Sequence, residues 1–430
     1  MNFKLLILYY LMEFKITRLV FINNWAALRK RRFKHLMKRL KNSPYYKSYL
    51  KPGMVPKDFP VISKQIFMDH FDEINIRHIN KEEAYRLALE AESSRNFSPM
   101  IDDITVGLSS GTSGSRGIFL ASNKERARWV ACVLDRVIGF SLKKRKIAFF
   151  LRANSNLYNS VQSGLLQFHF FDLFNPIDKN VHQLNIIQPD ILVAQPSMLI
   201  EIARAIETKT IAISPKKIIC VAEVLTPEDK KYLQTIFNQT IHQAYQCTEG
   251  FLAYTCAEGT LHFNEDFLII EQKFLDTDKQ RFHPIITDLM RTTQPVIRYE
   301  LNDIITVKIS CPCGSKWLAI EQIEGRSDDM LVFKNIQREE VKIFPDFFRR
   351  AIITSAPDIE DYAVIQKSND LLHVYIKTKQ VTSSEAALEA IDSLLSSYHI
   401  EQVTLKRVTE NEHQFGNKLR RIKNDTPQAR

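Results

Sequence analysis

The sequence runs to 430 residues, which at about 100 to 200 residues per domain predicts two or three domains. Hydrophobic residues make up 45% and charged residues 25%, close to the averages for a globular protein, so a disordered chain and a fibre are both excluded. The net charge of +10 raises a nucleic acid or a membrane as partner, and its placement along the chain bears on both.

Residues 3 to 12 (FKLLILYYLM) form an apolar run behind Lys4. It is too short to span a bilayer and is closed by Glu13, Lys15 and Arg18. No small-residue cleavage site follows, which reads as a cytoplasmic chain whose first helix packs on the body or grazes a membrane. Arg29, Lys30, Arg31, Arg32, Lys34, His35, Lys38, Arg39 and Lys41 then crowd a helix-like segment. A solvated helix face accounts for them better than a nucleic acid does, because no RNA-recognition signature or helix-turn-helix pattern accompanies them. An anionic membrane surface or an acidic carrier protein stays open for residues 1 to 51. Oligomeric state is not legible.

Helical spacing fills residues 1 to 50 and, after Pro52, Pro56 and Pro60, residues 64 to 94. From Pro99 strands and helices alternate: strands at 104–109, 146–151, 190–194, 217–221 and 240–244, and helices at 122–140, 157–168, 196–207 and 226–237. That alternation predicts an α/β core with mostly parallel strands. Between 250 and 325 short β-rich runs predict an antiparallel or barrel-like subdomain. Beyond Gly325 the pattern predicts a helix at 341–354, a hairpin of 361–367 with 371–378, a helix at 384–398 and an extended run at 401–408. The expected architecture is a helical region (1–98), an α/β core with a β-rich subdomain (99–325) and a small, mobile α+β domain (326–430).

Only 12 glycines occur in the chain, and four fall between 107 and 117. The segment LSSGTSGSRG, Leu108 to Gly117, lies between a predicted strand and a predicted helix. Its amides and hydroxyls suit a polyphosphate, although no Walker lysine follows. YQCTEG, Tyr245 to Gly250, ends another strand and sets a hydroxyl beside a carboxylate, which suits a phosphate oxygen and a Mg²⁺ ion. PVIRYELND (295–303) and EGRSDDML (324–331) offer an aspartate able to accept two ribose hydroxyls and an arginine able to reach sugar or phosphate.

Taken in this order, the segments resemble the adenylate-forming superfamily of acyl-CoA synthetase-like ligases, and within it the phenylacetate-CoA ligase and coenzyme F390 synthetase-like branch, over roughly residues 40 to 423. The resemblance implies that Ser109, Ser110, Gly111, Thr112, Ser113 and Gly114 belong to a loop on the β- and γ-phosphates of ATP. It places Tyr245 against adenine or the acyl group, Thr248 on the α-phosphate and Glu249 on Mg²⁺. Asp303 would hold the ribose with help from Arg326, Asp328 would be the interdomain hinge, and Lys418 in GNKLRR would stabilise charge during adenylation. Three positions depart from the family pattern: Gly117 where many members have lysine, and Gln246 and Asn302 where glycine is usual.

The expected activity is ATP-dependent activation of a carboxylic acid as acyl-AMP, then transfer to a thiol of coenzyme A or of a carrier protein's pantetheine. An amine or hydroxyl acceptor and a non-catalytic, zinc-braced nucleotide-binding protein are the alternatives. Phe149, Phe150, Phe170, Phe171, Ala222 and Tyr245 are candidates to line a pocket for an aryl or fatty acid, or are strand core. Six cysteines without a secretory signal argue against a disulfide framework. Cys256, His262, Cys311 and Cys313 could complete a closed tetrahedral Zn²⁺ shell or be unrelated buried residues, and the resemblance favours zinc.

Overall fold

Apolar runs of four to seven residues, alternating with amphipathic helices, build the larger of two compact units in the computed structural model. All residues are described except 1, 95, 97, 110–115, 140–142, 152–165, 174, 176, 412–418 and 427–430. The first unit holds the described residues up to Leu301 together with Ile305–Gln322, so the N-terminal helices belong to the same unit as the sheet. Those helices are α1 (Phe3–Phe21), α2 (Trp25–Leu40), α3 (Pro44–Lys47), α4 (Lys64–Asp69), α5 (Phe71–Ile74) and α6 (Lys81–Ser94). An antiparallel pair, β1 (Ile104–Leu108) and β2 (Ile118–Ser122), leads into α7 (Asn123–Val133). Ser122 starts α7 through a capping box with Glu125.

Five parallel strands follow: β3 (Arg145–Leu151), β4 (Leu166–Asp172), β5 (Ile191–Ala194), β6 (Lys217–Val221) and β7 (Ile241–Cys247). The predicted helix at 157–168 is corrected at its end, because Leu166–Asp172 is strand β4; residues 157–165 lie outside the described ones. Phe168 and Phe170 share one face of β4, and Phe171, on the other, stacks on Phe150 at 4.6 Å inside the core. Helices Ile177–Ile187, Pro196–Glu207 and Pro227–Phe237 run between the strands and bury Leu184, Leu199 and Leu233 against them.

At β7 the sheet changes from parallel to antiparallel. It continues through β8 (Gly250–Thr255), β9 (Leu261–Phe263), β10 (Leu268–Phe274), β11 (Arg281–Asp288), β12 (Tyr299–Glu300), β13 (Asp303–Lys308) and β14 (Ala319–Arg326). Among the described residues the sheet has twelve strands, ordered β10-β11-β13-β14-β9-β8-β7-β6-β5-β3-β4 with β12 on β11. This is the expected α/β body with a β-rich, antiparallel part.

The second unit collects Asn302–Ile304 and residues from Ile323 onward. It has a hairpin of β15 (Leu331–Lys334) and β16 (Glu340–Ile343) and a four-stranded sheet. In that sheet β17 (Ile359–Ser368) and β18 (Leu371–Thr378) are antiparallel, while β19 (Thr404–Arg407) and β20 (Ile422–Asn424) add in parallel. Helices Pro345–Ser355 and Val381–Ser397 share its core of Phe333, Phe348, Val374 and Ile391. Residues 341–343, expected as helix, form β16 instead, since Pro345 can only open the helix, not sit inside it. No described helix is long and apolar enough to cross a membrane.

Candidate functional site

β7 and β8 join through a two-residue turn, Thr248 and Glu249, with Cys247 paired to Gly250. A register shift beside Tyr245 bends the ladder just before the turn. Both turn residues are half-buried and line a small cleft with Lys64, Gly117 and Arg291. Gly117, at the end of the serine-rich segment, therefore reaches the Thr-Glu turn within one unit. Its neck is closed by Ser109, whose Oγ accepts from Gly117 N at 2.7 Å while Ser109 N donates to Gly117 O at 2.8 Å. Ser110, Gly111, Thr112, Ser113 and Gly114 lie outside the described residues, as does Lys418.

Residues that sequence reading missed hold the cleft together. Arg291 donates from Nη1 to Thr248 O at 2.9 Å and from Nη2 to Gln294 Oε1 at 3.0 Å. Gln294 is fully buried; its Oε1 also accepts from Leu120 N at 3.1 Å, and its Nε2 donates to Ile118 O at 3.3 Å. One carboxamide thus ties the strand after the serine-rich neck to the Thr-Glu turn. Replacing it, as Gln294→Leu, strands several buried partners at about 1 to 3 kcal/mol each. A drop in thermal midpoint of roughly 5 to 10 °C is expected. A calorimetric scan with an unchanged midpoint would rule this tie out.

Two carboxylates brace the same loop. Burial opposes the charge of Glu125, but hydrogen bonds from Thr293, Ser122 and Thr292 outweigh it and hold the carboxyl below its ordinary range. Asp288, buried behind the turn, is pushed up by that burial although Met290 N and Arg291 N donate to it. A Cβ on Gly250 would meet Asp288 Oδ2 at 3.3 Å, so glycine there leaves room for the carboxylate.

Of the remaining predicted residues, Tyr245 is buried with its ring against Phe263. Gln246 is exposed, so its side chain points out of the hairpin. Asp303 and Arg326 both lie in the second unit, 3.8 Å apart. Asn302 is the hub there: its Oδ1 accepts from Arg326 Nη2 at 2.7 Å and its Nδ2 donates to Asp328 Oδ2 at 2.6 Å. Asn302 therefore makes contacts that glycine lacks. Phe150 and Phe171 are core, whereas Phe149 and Phe170 pair in register on the opposite, half-buried face. Ala222 is exposed in a left-handed turn after β6.

Cys256, His262, Cys311 and Cys313 converge, their ligand atoms all within 4.8 Å of one another. The Cys256 and Cys311 sulfurs are 3.7 Å apart, and Cys313 Sγ lies 3.4 Å from His262 Nε2. Zn–S bonds of about 2.3 Å meeting tetrahedrally require sulfurs about 3.8 Å apart, so the donor set fits zinc. His262 Nδ1 faces Trp317 O at 3.1 Å, which turns Nε2 toward the thiols.

No family model matches the chain. The curated protein CapK of Staphylococcus aureus is 27% identical over 201 residues, 46% of this chain and 43% of CapK, so the chain matches less than half of that relative's length. Among solved structures, 2-hydroxyisobutyryl-CoA ligase in its postadenylation state aligns with a TM-score of 0.65 at 15% identity, covering 93% of this chain and 89% of its own. The amide bond synthetase McbA of Marinactinospora thermotolerans gives 0.54 at 13% identity over 74% and 67%. The anthranilate-CoA ligase AuaEII gives 0.53 at 13% identity over 74% and 66%. The chain has the fold shared by these three enzymes.

Proposed function

We propose that the protein is an ATP-dependent ligase that activates a carboxylic acid as acyl-AMP and transfers the acyl group to a thiol, coenzyme A being the acceptor. The observation that carries this reading is the cleft in which Gly117, Thr248 and Glu249 meet within a ligase fold. A carboxylate oxygen of the acid attacks the α-phosphorus of ATP, the bond between the α- and β-phosphates breaks, and pyrophosphate leaves. Thr248 donates its hydroxyl to the α-phosphate. Glu249 would hold Mg²⁺, which supplies charge screening for the triphosphate. Asp303 and Arg326 are assigned to the ribose, Tyr245 to the adenine or acyl group, and Lys418 to the charge that builds on the carboxylate and phosphate. In the second half-reaction the thiol sulfur attacks the acyl carbonyl and AMP leaves, with Asp328 as the hinge of a mobile small domain.

Lys64 deepens this reading. Its Cε lies 3.6 Å from where a Cβ on Gly117 would stand, so a cation from α4 flanks the position where the loop itself has glycine. We assign it to the triphosphate. Lys64→Ala is expected to raise KM for ATP roughly tenfold, the value of one charge-assisted contact. An unaltered KM removes Lys64 from the site.

The acid is read as aryl or fatty, and a neighbour bound to anthranoyl-AMP is in keeping with an aryl acid. Transfer to an amine is the second reading, favoured by the likeness to an amide bond synthetase, and a carrier-protein pantetheine is the third. Acid-dependent exchange of labelled pyrophosphate into ATP, screened over aryl and fatty acids, tests the first half-reaction. Adding coenzyme A, a pantetheinylated carrier or an amine in turn identifies the acceptor. Exchange absent with every acid would favour the non-catalytic nucleotide binder.

A further inference from the structure

We propose that α1 and α2 form a docking surface for an anionic lipid bilayer, into which α1 lies flat with its outward face among the acyl chains.

α1 is apolar on two sides, and only one of them is used. Leu6, Ile7, Tyr10 and Phe14 are buried. The helix is fastened to the body by Arg128 over the Tyr10 ring at 4.5 Å and by an Arg18–Asp135 ion pair at 2.5 Å. The other side carries Leu5, Leu8, Tyr9, Met12, Ile16, Leu19 and Val20, followed by Ile22, and each of these eight is more than half exposed. Their spacing of three and four residues makes one continuous stripe along the whole helix. Single exposed apolar residues are ordinary on a protein surface, but a stripe of this length marks a contact site.

Charge identifies the partner. Residues 1 to 57 hold fourteen lysines and arginines against one acid, Glu13, which exceeds the chain's whole excess of +10 and leaves the remainder slightly acidic. Glu13 faces Arg32 at 3.8 Å. On α2 the inner side is Leu28, Phe33, Leu36 and Leu40, while Lys30, Arg31, Lys34, Lys38 and Arg39 stand exposed at helical spacing. A bare apolar helix next to a basic one fits acyl chains beneath phosphate headgroups, and α1 is not long and apolar enough to cross the bilayer. A second copy docked on the same face would bring like-charged helices together. A soluble acidic protein would satisfy α2 but leave the stripe on α1 without a role.

The test is flotation of the full chain with vesicles of phosphatidylcholine alone and of phosphatidylcholine with phosphatidylglycerol in equal parts. Binding to the mixed vesicles is expected to exceed binding to the neutral ones by more than about tenfold and to weaken with salt. The pair Leu8→Glu and Leu19→Glu, both at exposed positions, should abolish flotation with an unchanged thermal midpoint. The triple change Lys30→Gln, Arg31→Gln and Lys34→Gln should weaken binding to anionic vesicles roughly a hundredfold. If the wild type does not float with mixed vesicles, or the Leu8 and Leu19 pair floats as well as wild type, the proposal falls. It falls equally if sedimentation equilibrium finds a dimer that the same pair dissociates while vesicles stay unbound.

Discussion

Glu249→Gln is expected to lower acid-dependent pyrophosphate exchange by roughly a hundred- to a thousandfold while leaving the fold intact. The side chain sits in the turn between β7 and β8, half-buried on the wall of the cleft, and the hairpin is held by its ladder rather than by this carboxylate. Glutamine keeps the size and removes the charge that a divalent cation needs, so the loss should fall on turnover and on the Mg²⁺ dependence together. Raising Mg²⁺ should recover part of the rate. Exchange close to the native rate, with an unchanged Mg²⁺ requirement, would take Glu249 out of the metal role and with it the central step of the proposed chemistry.

Loss of the zinc clasp that we propose for Cys256, His262, Cys311 and Cys313 should have the second largest effect, on stability rather than chemistry. Metal analysis of the purified protein is expected to give about one zinc per chain. Cys256 follows β8, His262 lies in β9, and Cys311 and Cys313 lie between β13 and β14, so four ligands from three chain segments would close one knot. Cys256→Ser should remove most of the metal and lower the thermal midpoint by roughly 10 °C. Bound metal should also be lost as pH falls, because the thiolates and the imidazole must shed protons to bind it. Trp317, whose carbonyl faces His262 and whose ring meets Trp25 at 5.3 Å, provides a fluorescence signal for chelation. A full complement of zinc in the Cys256→Ser protein would show that the shell is built otherwise.

Much of this molecule is legible in its sequence where a local rule decides. The helix Pro196–Glu207 and strand β6 have the bounds that apolar spacing and a leading proline set. The cysteine and histidine cluster is legible because zinc ligands need few residue types and short spacings. Leu166–Asp172 misled because its aromatics suit a helix face as well as a buried strand. Arg291 and Gln294 carry no local signature: their value arises only when Gln294 meets Leu120, 174 residues earlier in the chain. Asn302 looked like a blemish in a motif that prefers glycine, and only the fold reveals the arginine and aspartate it binds.

The shortness of the connection between β7 and β8 limits how this region can change over evolutionary time. Adding or deleting one residue between Ile241 and Thr255 would shift β8 against β7, carrying Phe251, Leu252 and Ala253 out of the buried places they fill and turning Glu249 away from Gly117. Length variation is therefore expected to gather elsewhere in the chain, while this stretch diverges by substitution alone.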